Sequence, residues 1–158
     1  MSSVTAKPSK DPEELLPLSP DEEAVVRALN RVIYSLPRAI DADMLREQGL
    51  PLIEYLTLMH LSEAADRQLR MSELATICEL SLSGMTRVVQ RLEAQGFVQR
   101  VRCEQDARGW NAVLTDAGFA RLVQSWPTNL AATRRHFIDH LAGLDLKQLA
   151  AAMQKIAS

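Results

Sequence analysis

The fold of this chain is decided by residues 72–114, which read SELATICELSLSGMTRVVQRLEAQGFVQRVRCEQDARGWNAVL. A short apolar helix is predicted first, and a tight turn leads into a second, amphipathic helix that ends at Gly96. Two β-prone runs then flank a polar segment, as in a hairpin. Helix, turn, helix and hairpin in this order are typical of a winged helix-turn-helix, which places one helix in a major groove of DNA.

The two helices of this motif have recognisable ends and buried faces. Ser72 is expected to cap the first helix, and Ser81 or Ser83 the second, because a serine hydroxyl accepts a free backbone N–H. Glu79 stands where many such turns have glycine, so the turn must form without it. Apolar residues at helical spacing predict one buried face on each helix: Leu74, Ile77 and Cys78 on the first, and Met85, Val88, Val89 and Leu92 on the second.

The opposite face of the second helix predicts contact with DNA. It carries short polar side chains and one arginine, which suit base edges and phosphates. A solvated helix surface could have the same composition, and the hairpin that follows is what favours DNA. The predicted DNA-binding residues of this helix are Ser81, Leu82, Ser83, Thr86, Arg87 and Gln90.

The hairpin is interpreted as a wing whose turn lies at residues 106–109. An arginine near the tip of such a hairpin can enter the minor groove. Asp106 is expected to fix the loop by pairing with Arg108 or a loop N–H, and Trp110 to pack under the wing as a brace. An ordinary solvated hairpin is the alternative. The wing arginines assigned to DNA contact are Arg100, Arg102 and Arg108.

Composition is consistent with a compact protein. At 158 residues with 47% apolar residues, the chain suits one domain with a sizeable core. No apolar run approaches the length of a membrane helix, and no signal-peptide pattern is present at the amino terminus. Two cysteines are too few for a disulfide framework. We therefore expect a cytoplasmic protein without membrane contact.

The distribution of charge matters more than the net charge of −2. Residues 80–111 contain five arginines against three acidic residues, whereas residues 1–30 contain three basic against six acidic residues. The acidic excess thus lies away from the predicted DNA-binding helix. The modest basic count predicts binding that weakens sharply with salt.

The sequence outside the motif predicts further helices. Residues 1–18 are rich in Ser, Lys and Pro, which predicts a disordered arm. Ser19-Pro-Asp-Glu22 is a helix start with a capping box. Pro37 is expected to bend or interrupt this helix. Another long helix is predicted over residues 115–141, capped by Thr115 and kinked at Pro127.

The predicted organisation has three parts. Residues 1–18 form the arm, residues 51–114 the winged helix-turn-helix, and residues 19–50 and 115–158 a helical dimerisation region. A helix is predicted at 52–64 within the winged helix-turn-helix, and another at 144–156 within the dimerisation region. The first and last helices have more apolar face than a small head can cover, and such exposed patches usually mark an interface. Two linked heads also bind adjacent half-sites of DNA far better than one.

The chain resembles the multiple-antibiotic-resistance regulator (MarR) family over roughly residues 22–156. The resemblance implies a mainly α fold with a small β-hairpin wing (α+β), with a winged helix-turn-helix head and a helical dimerisation region from both termini. It implies a homodimer that binds a pseudo-palindromic operator in double-stranded DNA and regulates transcription, as a repressor. The matching motifs are GLPL at 49–52, SELA at 72–75, SLSGMTRVVQRLEAQGFV at 81–98, DAR at 106–108 and LTDAG at 114–118.

The resemblance also implies a small-molecule effector. Members of the family commonly bind phenolic or other aromatic compounds in a cleft between the dimer region and the head. The bland alternative is that the aromatic and polar residues at this place belong to the core or the dimer contact. The candidates for an effector pocket are Tyr34, Tyr55, Met59, His60 and Phe119.

Other functions have less support in the sequence than DNA binding. No nucleophile, phosphate-binding or dinucleotide motif predicts an enzyme, and no cofactor is expected. His136 and His140 would lie one turn apart on a helix, but further zinc ligands are missing from the pattern, so no metal site is predicted. Cys103 near the wing could sense oxidants. A winged helix that binds protein instead of DNA is a further alternative.

Overall fold

The computed structural model describes residues 16–103 and 106–157, with the backbone alone for residues 106–108. The described part is mainly helical with a small antiparallel sheet, as predicted. The helices are α1 (Pro20–Gln48), α2 (Leu52–Glu63), α3 (Met71–Ile77), α4 (Leu82–Ala94), α5 (Asp116–His136) and α6 (Leu146–Ala157). The strands are β1 (Gln68–Arg70), β2 (Val98–Cys103) and β3 (Asp106–Leu114), and 3-10 turns occupy Ala65–Arg67 and Ile138–Leu141.

The chain divides between Ile33 and Tyr34 into two compact units. The first unit contains the start of α1, where the predicted capping box is confirmed: Ser19 N–H donates to Glu22 Oε2 at 2.7 Å, and Glu22 N–H donates to Ser19 Oγ at 3.3 Å. Residues 16–18 precede the helix without regular structure. The rest of the predicted arm, residues 1–15, lies outside the described residues.

The sheet has the strand order β1-β3-β2, with antiparallel pairing throughout. The predicted hairpin is confirmed, but the turn assigned to residues 106–109 is wrong, since these residues belong to β3. The polar composition suggested a turn, whereas the segment is extended and Asp106 pairs with Cys103 of β2. Strand β1 was missed because three residues are too few to show an alternating pattern.

The core of the head is built around the predicted stripe of α4. Met85, Val88, Val89 and Leu92 are all buried, as predicted. Ile77 is 46% exposed, however, so its assignment to the buried face of α3 is wrong. Helix α3 ends at Ile77 after only two turns, and its buried residues are Met71, Leu74 and Ala75.

The ends of α3 also differ from prediction. Ser72 does not cap the helix, which begins one residue earlier, at Met71. The side chain of Glu73 accepts the Arg70 N–H instead, at 3.2 Å. At the other end Glu79 adopts a left-handed conformation, with φ of 53°. The turn therefore forms with glutamate in a backbone region that favours glycine.

The start of α5 is locked to the end of α4. The hydroxyl of Thr115 accepts the Gly118 N–H at 3.0 Å, which confirms the predicted cap, and donates to the Gly96 carbonyl at 2.7 Å. A Cβ at position 118 would lie 2.1 Å from the Phe97 carbonyl oxygen. Only glycine allows this approach. The glycine of the LTDAG segment is therefore required by the packing of α5 against the Phe97 backbone.

The prolines do not interrupt the long helices. Helix α1 is continuous through Pro37, and α5 is continuous through Pro127. Each proline removes one backbone donor, and this loss does not end a helix of 29 or 21 residues. Helix α5 stops at His136, five residues before the predicted end, where Phe137 leaves the helical region with ψ of −67° and φ of −136°.

A buried carboxylate joins α1 to the end of α5 within the second unit. Asp43 accepts hydrogen bonds from Arg46 at 2.6 Å, Arg135 at 2.9 Å and His136 at 2.8 Å. Arg46, and after it His136, hold the pKa of Asp43 below its usual value. Among residues 16–103 and 106–157, no helix combines the length and apolar character needed to span a bilayer.

Candidate nucleic-acid interface

Helix α4 presents the predicted polar face to solvent. Ser81, Ser83, Arg87 and Gln90 are exposed, and Thr86 is half-buried. Leu82, the first residue of the helix, is 55% exposed although it is apolar. The buried stripe on the other side fixes this orientation, so the exposed face is a direct consequence of the core.

The hydroxyls near the start of α4 are engaged within the helix. Ser81 caps the helix, as predicted, by accepting the Gly84 N–H at 3.1 Å. The hydroxyls of Ser81 and Ser83 lie 3.1 Å apart. Thr86 donates to the carbonyl of Leu82 at 2.8 Å. These bonds hold the first turn of the helix and use the donor of the threonine hydroxyl.

The wing places aromatic and cationic side chains together. Arg102 pairs across the hairpin with Trp110, and paired residues share one face of a sheet. The guanidinium carbon of Arg102 lies 5.2 Å from the centre of the Trp110 ring, a cation–π distance. Trp110 is 43% exposed and contacts this arginine. The sequence predicted instead that Trp110 packs beneath the wing.

Arg100 connects the wing to α4. Its guanidinium donates to the carboxylate of Glu93 at 2.9 Å, and its backbone N–H donates to the same carboxylate at 3.2 Å. Arg100 holds the pKa of Glu93 below its usual value. The arginine predicted to bind DNA therefore also sets the position of the hairpin relative to the helix.

A groove between the wing and the start of α4 was not predicted from sequence. Its volume is about 430 Å³. Its lining includes Leu82 and Thr86 of α4, Gly109 and Trp110 of β3, and Arg70 of β1. Sequence reasoning missed the contribution of Arg70 because β1, which carries this arginine, was not recognised.

Two predicted wing residues are described only in part. Asp106 and Arg108 lie in β3, and Asp106 pairs with Cys103 in the strand register. Their side chains, and with them the predicted pairing of Asp106 with Arg108, lie outside the described residues.

Comparison with known proteins places this geometry in a family. The MarR family model matches residues 48–109. Sco3205, a MarR family transcriptional regulator from Streptomyces coelicolor solved in complex with DNA, is 33% identical over 92% of this chain and 91% of that chain, with a TM-score of 0.82. The chain belongs to the MarR family.

Further solved structures agree with this assignment. The MarR family regulator AbsC from Streptomyces coelicolor is 36% identical over 90% of this MarR-family chain and 96% of that chain, with a TM-score of 0.80. A mutant of Escherichia coli MarR, solved with operator DNA, is 20% identical over 85% of this chain and 94% of that chain, with a TM-score of 0.71, and shows the shared fold alone. No curated protein matches the chain. The MarR family is a family of transcriptional regulators, and transcriptional regulators are not a class of enzymes.

A second pocket in this MarR-family protein lies between α2 and α5. Its volume is about 390 Å³, and Tyr55, Met59, Leu122 and Trp126 are among its lining residues. Burial raises the pKa of the Tyr55 phenol. The structure thus brings together two of the five predicted effector residues and adds Trp126, which sequence reasoning assigned to the helix alone.

The other three predicted effector residues do not line this pocket. Tyr34 is exposed on α1, and His60 is half-buried on α2. Phe119 makes a cation–π contact with Arg67, whose guanidinium carbon lies 4.3 Å from the centre of the phenyl ring.

The histidines of the alternative metal site differ from the predicted arrangement, and the structure also describes the surroundings of the two cysteines. His136 is the last residue of α5 and binds Asp43, while His140 lies in a 3-10 turn. The expectation that the two imidazoles lie one turn apart on a single helix is therefore wrong. In the described ranges no three His, Cys, Asp or Glu residues gather around a possible metal position. Arg70 Nη2 lies 3.6 Å from Cys103 Sγ, and burial raises the pKa of the Cys78 thiol.

Proposed function

We propose that this MarR-family protein is a homodimeric, DNA-binding regulator that represses transcription from a pseudo-palindromic operator. The observation that carries this proposal is the exposed polar face of α4 beside an arginine-bearing hairpin, with both fixed by the core of the head. Similarity to Sco3205, which was solved with DNA, supports the same function. A protein with this function would act in the cytoplasm, next to the chromosome.

Within this proposal α4 enters the major groove, and the wing lies along the adjacent backbone and minor groove. The helix amino terminus and the arginines attract phosphates. The residues that we assign to the DNA contact are Ser81, Leu82, Ser83, Thr86, Arg87, Gln90, Arg100, Arg102 and Arg108.

Dimerisation through residues 19–50 and 115–158 is supported by apolar faces that a single copy leaves exposed. In the first unit these are side chains of α1, such as Val25 and Leu29. In the second unit, α6 has no buried residue at all and exposes Met153. Apolar area of this extent is normally covered, and a second copy would cover it with the same faces.

The DNA proposal is tested by selecting bound duplexes from a random DNA pool and measuring affinity for the selected site. We expect a pseudo-palindrome whose half-sites lie about one helical turn apart. Arg87→Ala is expected to weaken binding, whereas Arg134→Ala, which removes a cation of α5 that pairs with Asp139, serves as the matched control. Selection of no duplex at low salt would overturn the proposal and favour a protein-interaction module.

We further propose that an aromatic or phenolic compound binds between α2 and α5 and releases the operator. A ligand can do so only by binding more tightly to the conformation in which the two heads do not fit DNA. The support is the pocket lined by Tyr55, Met59 and Trp126. Operator release and thermal shift with a panel of aromatic acids test this step. A flat response, or an equal response in Trp126→Ala, would contradict it.

A thiol response is the second candidate, because Arg70 lies beside Cys103. A neighbouring guanidinium favours the reactive thiolate, and oxidation at this position would disturb the wing. Peroxide is then expected to weaken operator binding of the parent and not of Cys103→Ser. Equal binding of both proteins after peroxide treatment would exclude the response.

A further inference from the structure

The start of α4 has an apolar surface at the centre of the proposed DNA contact. Leu82 is 55% exposed, and it lines the groove together with Thr86 and Trp110. Arg70 and Arg100 also line this groove, so an apolar surface lies among cations that attract phosphates.

The hydroxyl of Thr86 is turned into the helix. Because it donates to the Leu82 carbonyl at 2.8 Å, its donor is not available to a base. The γ-methyl group is the other substituent on Cβ of Thr86, and it offers an apolar contact to the groove that Thr86 lines. Leu82 and Thr86 are four residues apart and hence lie on one face of α4.

We propose that Leu82 and the methyl group of Thr86 recognise the 5-methyl group of thymine in the major groove. Thymine is the DNA base with a methyl group in that groove, and apolar side chains are known to read it by contact. Ser81 and Ser83 then act by holding the first turn of α4. This inference rests on the proposed DNA binding and adds the identity of a base.

The test replaces single thymines of the selected operator by deoxyuridine, which removes the methyl group and leaves base pairing intact. The parent protein is expected to bind about fourfold more weakly when one particular thymine of a half-site is replaced, as expected for the loss of one buried methyl group. Leu82→Ala is expected to bind thymine and deoxyuridine operators with nearly equal affinity.

Variants of Thr86 separate the methyl group from the hydroxyl. The thymine-to-deoxyuridine affinity ratio should persist in Thr86→Val, which retains a methyl group, and decrease in Thr86→Ser, which lacks it. Ile77→Ala removes another partly exposed aliphatic side chain, from α3 and outside the lining of the groove, and should keep the ratio.

The outcomes distinguish this inference from the proposed function. If the parent protein binds the operator and no thymine replacement weakens it, the inference is wrong and the DNA-binding proposal stands. A ratio that persists in Leu82→Ala and in Thr86→Ser would also overturn it. Absence of any operator binding by the parent protein would overturn both proposals.

Discussion

The head and the terminal helices of this protein differ in how completely a single copy buries their apolar residues. In the head, Leu74, Met85, Val89 and Leu92 are fully buried. In α6 no residue is buried, although Leu146, Met153 and Ile156 form an apolar series. The contrast teaches that the head carries its own core, whereas α6 leaves its apolar face uncovered in a single copy.

The largest expected effect tests whether the core of the head packs closely around α4. Leu92→Ala removes a fully buried side chain and should lower the free energy of unfolding by about 2–5 kcal/mol, because a cavity remains. Urea unfolding followed by circular dichroism measures the loss. A decrease below about 1 kcal/mol would mean that α4 does not pack as described.

The next effect tests the unpartnered helices. Met153→Glu places a charge on the apolar face of α6 and should raise the dimer dissociation constant about 100-fold, since an unpaired charge is costly to bury. Its neighbour on another face provides the control, Gln154→Glu, which should leave the constant unchanged. Analytical ultracentrifugation measures both, and equal sedimentation of the two variants would refute a dimer contact through α6.

A smaller effect concerns the connection between α1 and α5 within the second unit. Asp43→Asn should cost about 1–2 kcal/mol of stability at neutral pH, because hydrogen bonds from Arg46, Arg135 and His136 lose their charged acceptor.

The pH dependence of this effect has a definite sign. The pKa of Asp43 is lowered in the folded protein, chiefly by Arg46. Its stabilisation is therefore complete above the unfolded value near 4 and is lost as the pH falls through the folded pKa. Thermal unfolding between pH 2 and pH 7 should show the parent and Asp43→Asn converging at the acidic end. A constant difference would exclude ionisation as the cause.

The smallest expected effect lies on the surface of the head. Arg87→Ala should leave stability unchanged and lower the slope of log affinity against log salt by about one unit if Arg87 neutralises one phosphate. If it reads a guanine instead, the loss should be confined to operators with that base. Fluorescence anisotropy at several salt concentrations distinguishes the two roles, and an unchanged affinity and slope would exclude both.

The sequence predicted the elements that depend on local pattern. The stripe of α4, the caps at Ser81 and Thr115 and the capping box at Ser19 follow from spacing and side-chain chemistry, and all are confirmed. The start of α3 and the exposure of Ile77 did not follow, because a helix of seven residues has too few positions to define a face.

The sequence predicted which face of α4 forms the candidate site, but it did not predict the side-chain contacts within the site. Spacing placed Arg87 and Gln90 on the outer face of α4, since the periodicity of the buried residues fixes the exposed ones. The pairing of Arg100 with Glu93 and the stacking of Arg102 on Trp110 depend on strand register. Register is set by the buried face of the strands and by the geometry of the turn between them, and the turn was predicted at residues 106–109, which belong to β3.

The most direct test of the account is the mass of the complex with the selected duplex, measured by sedimentation at low salt for the parent protein and for Met153→Glu. We predict two parent chains on one pseudo-palindromic duplex, and a large loss of affinity in Met153→Glu although its head remains folded. A single parent chain on the duplex, or no complex at all, would contradict the account.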